Sequence, residues 1–94
     1  MPTVSWQVLN PFDQEPIGSV ELVGWPQVDR WLDEASALHA NRKALLPIHE
    51  RIAILQRASA LMRERDEALA LQIAREGGKP IVDARVETIR AIQS

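Results

Sequence analysis

The stretch PIHERIAILQRASALMRERDEALALQIAREGGKP, residues 47–80, decides how the chain is read. Counted at about 100° per residue from Ile48, the side chains of Ile52, Ile54, Leu55, Leu61 and Met62 fall in one half of a helical wheel. His49, Glu50, Gln56, Arg57, Arg63 and Glu64 fill the other half, the pattern of an amphipathic helix. Leu69 and Ile73 stay in phase with the apolar half. One unbroken helix from Ile48 to Glu76 would be about 43 Å long. The charged run from Arg63 to Glu67 offers nothing to bury, and Asp66 suits an N-cap. The pattern therefore predicts two abutting helices, 47–64 and 66–76, broken near Glu64 to Asp66. Gly77 is the expected left-handed C-cap, with Pro80 as the stop.

Upstream, Val4, Trp6 and Val8 alternate with Ser5 and Gln7, the period of a half-buried strand. Asn10-Pro11-Phe12-Asp13-Gln14-Glu15-Pro16 is rich in turn residues, and its prolines lack the N–H a ladder needs. From Ile17 to Val23 the alternation resumes, so residues 3–23 read as a strand pair. Two strands alone are marginal in water. Gly24-Trp25-Pro26 then ends the strand and opens a helix over 26–41, with Pro26 in its first turn. Val28, Trp31, Leu32, Ala35 and Leu38 share one face of it. Arg42 to Leu46 reads as a connector, because a residue before proline is pushed out of the helical region. Downstream, Ile81, Val82, Val86, Ile89 and Ile92 share a face of a last helix, 80–94. The expected fold is an α-rich α+β fragment, a two-strand hairpin followed by four amphipathic helices. It reads as one incomplete domain over residues 1–94.

Composition narrows the function classes. The chain has 94 residues, 46% of them apolar, and a net charge of −2. It is too apolar for a disordered tail. It has no basic stripe, which argues against nucleic acid. No apolar run approaches the ~20 residues that span a bilayer, so no membrane partner is expected. There is no cysteine, hence no disulfide, no thiolate metal ligand and no thiol nucleophile. Met1 to Trp6 lacks the pattern of a signal peptide. A cytoplasmic protein is expected.

Chemistry-bearing residues are few. His39 and His49 lie on different elements, without the spacing of a metal pair. Ser5, Ser19, Ser36, Ser59 and Ser94 have no nucleophile-elbow context. Glu76-Gly77-Gly78-Lys79 lacks the spacing of a phosphate loop and follows a helix instead of a strand. Two arginines break the pattern. Arg51 falls within the apolar half of its helix, between Ala58 and Leu55, and Arg85 falls in the middle of the apolar face of the last helix. A buried guanidinium needs a partner. At least one of the two is expected to bond an acid or a helix-end carbonyl. Asp66 and Glu76 are the acids in phase with the main apolar face. A ligand clamp is the other reading of these arginines.

Three motifs in order resemble the amino-terminal part of an aldehyde dehydrogenase. Asn10-Pro11-Phe12-Asp13-Gln14-Glu15-Pro16-Ile17-Gly18-Ser19-Val20 is similar to that family's opening. Leu46-Pro47-Ile48-His49-Glu50-Arg51-Ile52-Ala53-Ile54-Leu55 resembles its Pro-x-x-x-Arg-x-x-x-Leu helix start. Glu76-Gly77-Gly78-Lys79-Pro80, followed by Asp83-Ala84-Arg85 and Glu87, resembles its Glu-x-Gly-Lys-Pro and the helix behind it. Gln14 departs from the pattern, standing where the family usually has Gly, which puts the turn geometry there in question. Gly24-Trp25-Pro26 replaces the family's polar helix cap.

The resemblance implies a parent enzyme that oxidises aldehydes to acids with NAD or NADP. Its nucleophilic cysteine, its water-activating glutamate, its oxyanion-stabilising asparagine and its cofactor-binding strand-turn-helix all lie beyond the matched stretch. No catalytic, cofactor-binding or metal-binding residue carries over, and no cofactor is expected on this segment. The segment would form an outer helical layer of the Rossmann-like cofactor-binding domain. Its expected partner is the rest of such a chain, or a second copy through self-association. The alternative is a small helical module for protein–protein interaction.

Overall fold

The computed structural model describes residues 4–94. Strand β1 (Val4–Leu9) pairs antiparallel with β2 (Pro16–Leu22). Helices α1 (Trp25–Ala40), α2 (Ile48–Glu64), α3 (Asp66–Gly77) and α4 (Ile81–Gln93) follow, with a 3₁₀ turn at Arg42–Ala44 between α1 and α2. This is the hairpin and four helices expected from the sequence. Thr3, placed in the strand pair by its pattern, lies outside the described residues.

The register sets Val4 opposite Leu22 and Trp6 opposite Val20. Cross-strand partners lie on one face, so these four form an apolar patch, with Ser5, Gln7, Ser19 and Glu21 behind it. The register shifts between Val8 and Leu9, and Leu9 pairs with Pro16. Pro16 thus opens β2 instead of remaining in the turn, a first-strand position where its missing N–H is tolerated. The loop closes on itself. The Asn10 carboxamide oxygen accepts from the Phe12 N–H (2.9 Å), the Asn10 carbonyl from the Gln14 N–H (2.8 Å), and the Asp13 carboxylate from the Glu15 N–H (3.0 Å). Gln14 has φ +62°. The turn keeps a left-handed residue although no glycine occupies it.

Helix ends differ from expectation by single residues. α1 starts at Trp25, with the Gly24 carbonyl accepting from Gln27 and Val28 and no side chain capping it. Pro47 and Pro80 stand just outside α2 and α4; the Pro47 carbonyl accepts from the Glu50 and Arg51 N–H groups and the Pro80 carbonyl from the Ala84 N–H. The break between α2 and α3 falls at Arg65 (φ −114°, ψ 17°). Asp66 is the first residue of α3 and not its cap. Its carboxylate accepts from the Glu67 N–H at 2.7 Å, which still satisfies a first-turn donor. The left-handed C-cap is Gly78 (φ +66°), not Gly77, which stays helical. A Cβ on Gly78 would come within 3.2 Å of the Pro11 side chain, so the hairpin tip sits against this corner.

α3 and α4 make the tightest packing between helices. Ala70, Ala84, Thr88 and Ile92 are the buried residues among those described. Alanines at the crossing let the backbones approach closely. The Thr88 hydroxyl donates to the Ala84 carbonyl (2.9 Å), so burying it leaves no orphan donor. α2 joins α4 through the Ser59 hydroxyl, which donates to the Ile92 carbonyl (2.8 Å). The whole is thin and wide, 49 × 40 × 15 Å, with a radius of gyration of 17.9 Å. A compact chain of this length would have about 12 Å. Apolar faces that would be buried in a compact domain lie open: Trp6, Leu55 and Ile48 are each exposed to more than 60%.

Candidate functional site

Among the described residues, three larger concave places could hold a ligand, and each is built from the elements above. A small hollow of about 240 Å³ lies where α2, α3 and α4 meet, among Met62, Leu69, Ile73, Thr88 and Ala91. Its one carboxylate, Glu76, accepts from the Gln72 side chain one turn earlier (3.1 Å). That leaves an apolar cleft without a nucleophile–base pair. A longer groove of about 570 Å³ runs along α2 and the end of α4, between Ile52, Leu55, Met62 and Ile92, with Arg63 at its edge. A third, of about 370 Å³, lies under the hairpin tip, between Phe12, Arg75 and Gly78.

The sequence-singled residues fall as follows. Arg85 does bond an acid: its Nε and Nη2 donate to both carboxylate oxygens of Glu67, at 3.1 and 2.7 Å. This two-pronged pair ties α4 to α3. The partner is Glu67 and not Asp66 or Glu76: Glu76 lines the cleft, and the Asp66 carboxylate accepts from the Glu67 N–H. Arg85 itself is half-exposed and not buried. The bond holds Glu67 below the ordinary carboxylate range and raises Arg85. Arg51 makes no ion pair among the described residues. Lys79 pairs with Glu87 of α4, so the Gly-Gly-Lys corner is closed by a salt bridge and by Pro11. His39 and His49 lie on α1 and α2. Among the described residues, no three His, Cys, Asp or Glu side chains come together as a metal site. No helix among them is long and apolar enough to cross a membrane.

The roles of Glu67 and Ser59 were not readable from local spacing. Glu67 lies 18 residues before Arg85, and Ser59 33 residues before Ile92. No periodic signal links positions so far apart.

The Gly77–Gly78 corner does not have the geometry of a dinucleotide cradle. A pyrophosphate cradle needs free backbone N–H groups at a helix start after a strand. Here the glycines end a helix, and Gly78 is packed against proline. No buried side-chain nitrogen or oxygen among the described residues lacks a partner.

Comparison with known proteins supplies what the geometry does not. The pattern of the aldehyde dehydrogenase family matches residues 2–94. Over 87 residues the chain is 31% identical to the sulfoacetaldehyde dehydrogenase of Neptuniibacter caesariensis, covering 93% of this chain and 19% of that protein. Over 78 residues it is 40% identical to the N-succinylglutamate 5-semialdehyde dehydrogenase of Burkholderia lata, covering 83% of this chain and 16% of that protein. The fold superimposes on glyceraldehyde-3-phosphate dehydrogenase GapN from Methanocaldococcus jannaschii, solved with NADP. The TM-score is 0.83 at 33% identity, over 93% of this chain and 19% of that one. The chain thus spans less than a fifth of the length of these relatives. It belongs to the aldehyde dehydrogenase family and corresponds to the amino-terminal segment of its members.

Proposed function

We propose that the chain is the amino-terminal scaffold of an NAD- or NADP-dependent aldehyde dehydrogenase, part of the domain that holds the cofactor. The parent enzyme oxidises an aldehyde to a carboxylic acid, and these residues supply neither its nucleophile nor a cofactor ligand. They act by forming one wall of the larger enzyme. The observation that carries this reading is the family match along residues 2–94, joined to a layer only 15 Å thick. A wall of an enzyme has apolar faces that other parts of the enzyme cover, and the open faces of α1 and α2 are of that kind. A cytoplasmic, oligomeric parent is part of the same proposal and rests on the family resemblance.

The test uses the purified 94-residue chain with NAD or NADP and short aldehydes. No reduced nicotinamide should form, and neither dinucleotide should bind at millimolar concentration. Turnover of either cofactor would refute the scaffold assignment.

A further inference from the structure

We propose that Arg51 is the polar anchor of the α2 wall, and that the element covering this wall in the parent enzyme brings a carboxylate to its guanidinium. This rests on the proposed function and adds the chemistry of the covering surface. Nothing in the chain itself accounts for Arg51. It stands in the first turns of α2, where the positive end of the helix dipole disfavours a cation. Its neighbours one turn away on either side are Pro47, Ile48, Ile54 and Leu55, and none is an acid. It makes no ion pair among the described residues.

Its position on the helix decides what the partner must be. On the wheel Arg51 lies about 20° from Met62 and about 40° from Leu55, inside the apolar half. Ile48, Ile52 and Leu55 beside it are open in this chain. Whatever takes those aliphatic side chains out of water takes the guanidinium with them. A charge desolvated without a partner is costly, and a carboxylate is the group whose two oxygens match the guanidinium fork. Arg85 shows that mode of pairing within the chain, on Glu67. Arg57 is the contrast: it lies about 180° from Ile48, on the polar half, and needs no partner.

The occupant is the remainder of the parent enzyme. The chain spans 16–19% of the length of its relatives, so most of such an enzyme is available to supply the acid. Arg51 also stands at the arginine of the family's Pro-x-x-x-Arg-x-x-x-Leu helix start, so the acid is expected in a relative that can host this segment.

The test uses a chimera in which residues 4–94 replace the matched segment of the sulfoacetaldehyde dehydrogenase of Neptuniibacter caesariensis. Arg51→Met keeps an apolar stem and removes the charge, which leaves the covering carboxylate unpaired. It should shorten the half-life of heat inactivation at least about fivefold, with Arg51→Lys shortening it less and Arg57→Met leaving it within about twofold. If Arg51→Met prevents folding of the chimera, Arg51→Lys carries the comparison with Arg57→Met. In the isolated 94-residue chain Arg51→Met should leave the urea midpoint in place, because the partner is not there. A crystal structure of the chimera should show a carboxylate oxygen of the host portion within about 4 Å of the guanidinium. Equal half-lives with and without Arg51, a lowered midpoint in the isolated chain, or a guanidinium left in solvent would each overturn the proposal. Aggregation of the chimera with Arg51 intact would instead sink the scaffold reading, and this inference with it.

Discussion

Two single residues hold the hairpin and its docking corner in shape. Gln14 sits at φ +62° with a side chain, a conformation that costs about 1–2 kcal/mol for residues other than glycine. Its carboxamide recovers part of that by donating to the Pro11 carbonyl at 3.1 Å. Gln14→Gly is therefore expected to stabilise the chain by up to about 1 kcal/mol in urea unfolding. A loss of stability would show that the side-chain bond dominates. Gly78 presents the opposite case. At φ +66°, and with Pro11 only 3.2 Å from a would-be Cβ, Gly78→Ala should destabilise by about 1–3 kcal/mol in the same experiment. The resemblance marked Gln14 as a departure. The structure gives Gln14 the left-handed backbone that glycine adopts freely, which no reading of residue types alone could have decided.

Between elements, the α3–α4 crossing is the firmest contact, and it depends on small side chains. Ala84 is fully buried, so Ala84→Leu should cost about 1–3 kcal/mol through overpacking, seen as an earlier urea midpoint. The exposed Glu67–Arg85 pair works at the edge of the same contact. Glu67 is held below its ordinary value of 4.5 by the Arg85 bond. A carboxylate with a lowered folded pKa contributes stability above its unfolded pKa and loses it as pH falls through the folded value. Stability should therefore drop between about pH 5 and the depressed value, and Glu67→Gln should flatten that part of the profile. An unchanged profile in the variant would show that the pair contributes nothing. Helix positions, the break near Arg65 and the Pro47 and Pro80 boundaries were legible because caps and proline act locally. The Gly78 cap, the Glu67 partner and the Ser59 link were not legible, because each depends on what the chain meets 18 to 67 residues away in sequence.

At the scale of the molecule, periodicity yields the apolar faces and not what covers them. α1 and α2 have the stripes of core helices, yet Trp31, Ile48 and Leu55 stay open, and no spacing pattern could have said so. On the proposed function, these faces are the inside of a larger enzyme. This central claim is tested most directly by transplantation. The matched segment of the Neptuniibacter caesariensis sulfoacetaldehyde dehydrogenase is replaced by residues 4–94 of this chain. The readout is dehydrogenase activity, beside a control in which the native segment is spliced back at the same junctions. A soluble chimera within about tenfold of the control's activity is the predicted result. A chimera that aggregates or loses all activity while the control remains active would contradict the account.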